Sequence, residues 1–468
     1  MTVTQQREAI GYGEVCSLAL PIAGVQLAGV ALTTADVLML QTLGVAAIAG
    51  GGLAMQFYNQ IRTMCVGMVT AAGNLVAEAA VPWKRGEHDE RVAHEVRRAV
   101  RSGMAVGTTS AILGVILVIA LGAFVLVLPV DQSVAHLTFA MTLTLGPGLL
   151  PMVWLNVLRQ FAVGMRRPGS LLVVTLISIG VNAGANAFFL WAVSALGWSA
   201  AWGTAGIGAS TAFVQVFTLC AFAWTLRRDS ELGQLFAFLP RKGDQDYIRE
   251  LVRLGIPVSL TYGSEAAITT IAGLVMGVVG PVALAAHMVV NQLAYIVYQV
   301  CIGFSHGGSV LVSGVKGQGR DSVSLVTRRV LLPVWAYLAL IAVIWLTLGS
   351  FFVKLFLGGA SPDTLRIATV LLCIAVLQQF AKGSQNVLVG LLRGLKDTTS
   401  GLKATLWGYW AVGVPAVVLL SLVAHWAAYG VWIGLILGFG TTTVLLARTL
   451  TSRISQLDQP GETVVAAS

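Results

Sequence analysis

Residues 19–40 read ALPIAGVQLAGVALTTADVLML, and residues 254–275 read LGIPVSLTYGSEAAITTIAGLV. Each run is long enough to cross a bilayer as one helix, which takes about 20 mostly apolar residues. Each also carries a single carboxylate, Asp36 and Glu265. The two runs keep the same spacing to the next apolar segment. Pro21 stands 22 positions before Leu43 and Pro257 stands 22 before Val279, and VAAIAGGGLA (45–54) then answers PVALAAHMVV (281–290) at an offset of 236. A second echo, at an offset of 230, pairs Asn156, Val157 and Leu158 with Asn386, Val387 and Leu388. It continues with Gly164, Met165 and Arg166 against Gly394, Leu395 and Lys396.

Along the whole chain, the apolar segments fall at 15–41, 45–80, 103–128, 134–158, 169–193, 202–226, 250–279, 282–312, 329–353, 364–392, 401–424 and 427–447. Six of them separate the two copies of the repeat, so both halves have the same orientation, a parallel repeat about an axis along the membrane normal. The expected fold is an all-α integral membrane protein of twelve transmembrane helices in two pseudo-symmetric six-helix lobes. The expected organisation is an N-lobe over 1–226, a basic cytoplasmic linker over 227–249, and a C-lobe over 250–468 with a short tail.

Composition excludes the soluble alternatives. The 468 residues are 56% hydrophobic and 10% charged, with a mean hydropathy of +0.82. A soluble domain carries roughly 25% charged residues, so a soluble enzyme, a nucleic-acid-binding protein and a disordered scaffold are all ruled out. The first apolar run is also too long for the roughly 7–15-residue core of a cleaved signal peptide.

The net charge of +9 has a topological reading. With the N-terminus inside, 25 of the 29 Lys and Arg fall in cytoplasmic segments, and only Lys354 and Arg366 fall outside. That asymmetry places the chain in the cell (inner) membrane with both termini cytoplasmic, and the basic pI needs no acidic ligand. The remaining two, Arg62 and Lys382, fall inside spans. The five cysteines are scattered without paired spacing and read as small hydrophobes.

These motifs together carry a resemblance. The two opening runs, residues 279–319 (VGPVALAAHMVVNQLAYIVYQVCIGFSHGGSVLVSGVKGQG), WGTAGIGAST at 202–211 and LLRGLKDTTS at 391–400 resemble the multidrug and toxic compound extrusion (MATE) transporters, in their bacterial NorM-like branch. The resemblance implies two lobes around a central cleft and efflux of an organic small molecule or drug by antiport with H+ or Na+. The segment VPWKRGEHDERV (81–92) does not fit the G-x-x-x-D-R-x-G-R-R pattern of the competing twelve-span major facilitator fold.

Ionisable groups at membrane depth cost several kcal/mol, so each is a functional candidate. Asp36, roughly 9 Å below the outer end of the first span, matches the family's N-lobe aspartate, and the resemblance implies a role in proton coupling or substrate release. The alternative is a carboxylate that ties neighbouring helices together. Glu265 matches the family's C-lobe glutamate, which in relatives shares a cation site with an aspartate on the tenth span. Here Lys382 takes that place. An ammonium cannot ligate Na+, which needs oxygen donors, so H+ is the expected coupling ion and Na+ is disfavoured. Lys382 either pairs with Glu265 or snorkels to the interface.

Arg62, roughly 26 Å down the second span, either faces a wet cleft or closes an interhelical ion pair. If Arg62 and Lys382 both face the cleft, the expected substrate is anionic or zwitterionic. Gln56, Tyr58, Asn182, Asn186, Tyr262, His287, Asn291 and Gln385 are expected to line the cleft or to join helices. His287 and His306 either titrate near neutral pH or serve as helix contacts. No metal-ligand or P-loop spacing appears, and neither a cofactor nor catalysis is expected. The expected partners are a small-molecule substrate and the bilayer, with no nucleic acid and a monomeric chain. The alternative functions are a flippase of an anionic lipid-linked headgroup, related to the lipid II flippases, and a transport-dead membrane sensor or assembly subunit.

Overall fold

The computed structural model describes residues 11–41, 43, 45–86, 89–127, 132–167, 169–197, 199–238, 243–357 and 362–458. Among them the chain forms long helical elements and no strand. The first six are α1 (Tyr12–Gln41), α2 (Val45–Thr70, continued by Ala72–Ala79), α3 (Glu90–Val125), α4 (Gln132–Leu145, running through a tight turn into Leu149–Gly164), α5 (Gly169–Leu196) and α6 (Ala200–Arg228). The second six are α7 (Gln245–Val279), α8 (Pro281–Val315), α9 (Arg320–Leu357), α10 (Pro362–Gly394), α11 (Thr398–Thr405, continued to Val423) and α12 (Ala427–Ser455).

Eleven of these elements are long and apolar enough to cross a membrane among the described residues. The element outside that set is α2, whose middle carries Gln56, Asn59, Gln60 and Arg62. Leu113, Leu274 and Leu346 are more than 60% exposed on the outer faces. Side chains of that kind belong against lipid rather than water.

Buried apolar residues collect in two clusters. One is built mainly from α2 to α6 and the other mainly from α8 to α12. Each lobe lends the start of its leading helix to the other. Val15, Leu18, Ala19 and Ile22 of α1 join the second cluster, and Leu251 and Leu254 of α7 join the first. The leading helices α1 and α7, which carry Pro21 and Pro257, therefore stitch the lobes together.

The offset-230 echo reappears as backbone geometry. Arg166 and Lys396 end α4 and α10 in the left-handed region, at φ of 60° and 63°. The amides of the next residues reach back to Ala162 and Leu392, each at 2.9 Å. A branched or long side chain in this conformation costs about 1–2 kcal/mol where glycine would cost nothing. Both positions instead carry a cation that pairs with a matching acid, Arg166 with Glu14 and Lys396 with Glu250.

Candidate functional site: a buried charge pair and the seam between lobes

In the second lobe, α7 and α10 bring Glu265 and Lys382 together, with Lys382 Nζ 3.3 Å from Glu265 Oε1 and both side chains at least 85% buried. The ammonium also lies over the Tyr298 ring at 4.3 Å and the Phe439 ring at 5.3 Å. These contacts come from α8 and α12, so four helices surround one cation. The Tyr298 hydroxyl neighbours the Glu265 carboxylate and accepts a 2.6 Å bond from Asn386 Nδ2. Tyr409 of α11 donates to Gln385 Oε1 at 2.8 Å and meets Phe439 edge-on. The carboxylate is thus balanced by a cation that belongs to the protein. Proton uptake by Glu265 would remove the partner of Lys382 and leave the ammonium buried and uncompensated.

The other predicted residues separate into distinct settings. Asp36 lies within α1, but its side chain falls outside the described residues. Asn182 and Asn186 are buried on α5, where Asn186 donates to Asn182 Oδ1 at 3.4 Å, the one-face arrangement that i,i+4 spacing produces. Tyr58 is buried on α2, Gln56 is exposed and Asn291 is half-buried on α8. His287 is buried against Trp432, edge to face at 5.7 Å, inside the packing of α8 on α12. Arg62 has no carboxylate within ion-pair distance among the described residues.

Tyr262 sits on the seam between the lobes, where two close crossings follow the repeat. A Cβ on Gly67 of α2 would fall 2.7 Å from Ser259 Cα of α7. A Cβ on Gly303 of α8 would fall 2.7 Å from Ala23 Cβ of α1. Gly303 follows Gly67 by 236 positions and Ser259 follows Ala23 by 236 positions, so one crossing is the other's image. Below these crossings, Asn74 of α2 donates to the Arg393 carbonyl at 3.1 Å and accepts from Ser309 of α8 at 2.9 Å. Arg393 in turn donates to Ser309 at 3.2 Å and to the Tyr262 hydroxyl at 3.1 Å.

At the basic end of the seam, Glu78 of the first lobe takes Lys316 at 2.9 Å and Lys396 at 2.8 Å, both from the second lobe. Burial works against the Lys396 charge, but the hydrogen bonds and charges of Glu250 and Glu78 outweigh it and hold its pKa above the ordinary 10.5. A raised folded-state pKa means that this contribution is complete below pH 10.5 and is lost only as pH rises through the folded value. The latch should therefore hold unchanged between about pH 6 and 9. Glu78→Gln should loosen it, raising the accessibility of a reporter cysteine at Ser313 severalfold at every pH in that window. An unchanged accessibility would show that the latch does not hold the lobes together.

Two helices of this region run past the ends expected from hydropathy. Arg159 and Arg393 count as loop residues when spans end at 158 and 392, whereas α4 and α10 continue to Gly164 and Gly394. Arg393 is 1% exposed. A cue was present in the sequence, since the two segments share the offset-230 echo through Gly164 and Gly394 and so end alike.

Two six-helix lobes joined by a glycine-mediated seam, with ionisable groups held inside, define a membrane transporter. The MatE family profile matches residues 21–188 and 257–419. The chain is 32% identical over 441 residues to the probable multidrug resistance protein NorM of Pseudomonas aeruginosa, covering 91% of this chain and 86% of that one. It is 30% identical over 445 residues to the protein of the same name from Brucella suis, covering 92% and 90%. Among solved structures, it superposes on a multidrug resistance MATE transporter in an outward-facing conformation with a TM-score of 0.81 at 14% identity, covering 96% of this chain and 97% of that one. The eukaryotic MATE transporter AtDTX14 gives a TM-score of 0.79 at 17% identity, covering 94% and 98%. This chain belongs to the MatE family, whose members are transporters and not enzymes.

Proposed function

We propose that this protein is a secondary-active efflux transporter that exports an organic small molecule in exchange for protons, by alternating access of its two lobes. The relatives named multidrug resistance proteins support export of drug-like compounds. The observation that carries the proton reading is the 3.3 Å contact between Lys382 and Glu265. An ammonium held on the carboxylate does the electrostatic work of a bound cation, leaving no reason to bind Na+ there. Asp36 is the chief proton carrier in this reading, in keeping with its match to the family's N-lobe aspartate, and Glu265 with Lys382 is a charge pair of the C-lobe. The basic side of the seam faces the cytoplasm, as the distribution of Lys and Arg supports. The chain works as a monomer in the inner membrane.

Transport into proteoliposomes, driven separately by a pH gradient and by a Na+ gradient, tests this reading. Accumulation should follow the pH gradient alone and should fall at least tenfold in Asp36→Asn. Strict dependence on Na+ would overturn proton coupling.

A further inference from the structure

Two of the cations held inside this molecule have a carboxylate. Arg101 makes a two-pronged contact with Asp244 at 2.8 and 2.9 Å, and Lys382 has Glu265. Arg62 and Arg159 have none, and no hydrogen-bond acceptor meets either guanidinium among the described residues. The Nε of each is sealed from solvent and lacks an acceptor. The two charges are also close enough to repel one another. They come from adjacent helices of the first lobe: Gly73 of α2 packs on Gln160, the neighbour of Arg159, and Arg62 lies three turns toward the other side on α2. Across the seam, Arg393 is paired only with neutral oxygens, and its Nη2 has no acceptor.

Guanidinium stays charged at every accessible pH. Two of them, half-buried, without a carboxylate and close enough to repel one another, raise the energy of the empty protein. A group with two acceptor oxygens removes that penalty, because a carboxylate or phosphate can take parallel N–H bonds from each planar fork. The second lobe is electrostatically different: in the repeat, the counterpart of Arg62 is Tyr298, 236 positions later, and the local cation Lys382 is already neutralised. The uncompensated positive charge is therefore a property of the first lobe and of the seam beside it.

We propose that Arg62 and Arg159 form an oxyanion-binding site that receives the carboxylate, or an equivalent acidic group, of the transported molecule. This deepens the efflux reading and rests on it for the word "transported". Binding itself does not depend on transport. A free inorganic oxyanion has the same chemistry, and the choice of probe separates the two sources.

The experiment is calorimetric titration and thermal melting of the full-length protein in detergent. The probes are salicylate, benzamide as its neutral counterpart, inorganic phosphate, and the lipophilic cation tetraphenylphosphonium. Salicylate should bind and raise the melting temperature, whereas benzamide and tetraphenylphosphonium should not. Arg62→Gln and Arg159→Gln should each weaken salicylate at least tenfold, the loss expected when one fork of a charge-assisted pair is removed. Each variant should also melt higher than the parent without ligand, because one of two mutually repelling charges has gone, and that result shows it to be folded. If either variant folds poorly, Arg62→Lys and Arg159→Lys keep the charge but lose the fork and should give intermediate affinities.

Phosphate acting as strongly as salicylate would support the site and assign it to free oxyanions. Salicylate acting alone would assign it to an acidic substrate. Equal salicylate affinity in parent and variants, or preferential binding of tetraphenylphosphonium, would overturn the proposal. Proton-driven export of cations without anion binding would sink this site and leave the efflux reading intact. Anion binding without any gradient-driven transport would do the reverse.

Discussion

Lys382→Ala is expected to abolish gradient-driven transport and to destabilise the protein by about 3–5 kcal/mol, because it leaves the Glu265 carboxylate buried without its cation. Both side chains are at least 85% buried, and the pair is 3.3 Å apart, so solvent can replace little of the lost interaction. Removing the two charges together should behave differently. Glu265→Gln with Lys382→Met should restore most of the thermal stability, since a buried ion pair exchanged for neutral groups of similar size is often close to neutral in cost. It should not restore transport if Glu265 must exchange a proton. The most informative single change is Lys382→Asp, which returns the residue type that the MATE resemblance leads one to expect on this helix. Two carboxylates then face one another, and the site acquires the oxygen donors that Na+ requires. This variant should melt lower than the parent in Na+-free buffer and should regain stability on adding Na+, while the parent shows no such response. If parent and variant respond to Na+ alike, Lys382 does not stand in for the ion.

The second large effect is expected at the seam. Gly303→Val should drive the population away from the state closed on the basic side by at least tenfold. A Cβ at this position would lie 2.7 Å from both the Ala19 carbonyl oxygen and Ala23 Cβ, and 2.8 Å from Ala23 N. Two of those three atoms are backbone, so no side-chain rotation relieves the clash and α1 must separate from α8. Gly67→Val should act the same way through Ser259 Cα and N, at 2.7 and 2.9 Å. Distances between spin labels on α2 and α8 at the basic end would report the separation. Gly180→Val and Gly273→Val are the controls, because nothing lies within 4 Å of a Cβ at either position. They share the small change in helix propensity and should leave the distances as they are. Equal shifts in seam and control variants would mean that the glycines act through the helix backbone and not through the contact.

The amino-acid order alone determines a good deal here. Hydropathy must match a hydrocarbon layer of fixed thickness, so the count and direction of the spans can be read from apolar run lengths and from where Lys and Arg fall. The repeat is legible for a similar reason. Pro21 and Pro257, each 22 positions before Leu43 and Val279, mark the same register in the two halves, and the structure repeats it as far as the paired left-handed residues Arg166 and Lys396. The substitution of a lysine at position 382 is visible without coordinates, since one charged side chain in an apolar run has few neutral explanations.

Tertiary structure decides which charges are compensated. Arg101 and Arg159 look equivalent along the chain, each just outside an apolar run, yet Arg101 meets Asp244 from 143 positions away, whereas Arg159, like Arg62, meets no carboxylate among the described residues. Arg159 and Arg393 are also hard to place by hydropathy, because an arginine near a span's end lowers the local average and makes the helix seem to stop before it. The seam is invisible in the sequence for a geometric reason. Glycine is abundant throughout these helices, and only the crossing of α8 on α1 and of α2 on α7 shows that Gly303 and Gly67 are among the positions where one methyl group would force the lobes apart.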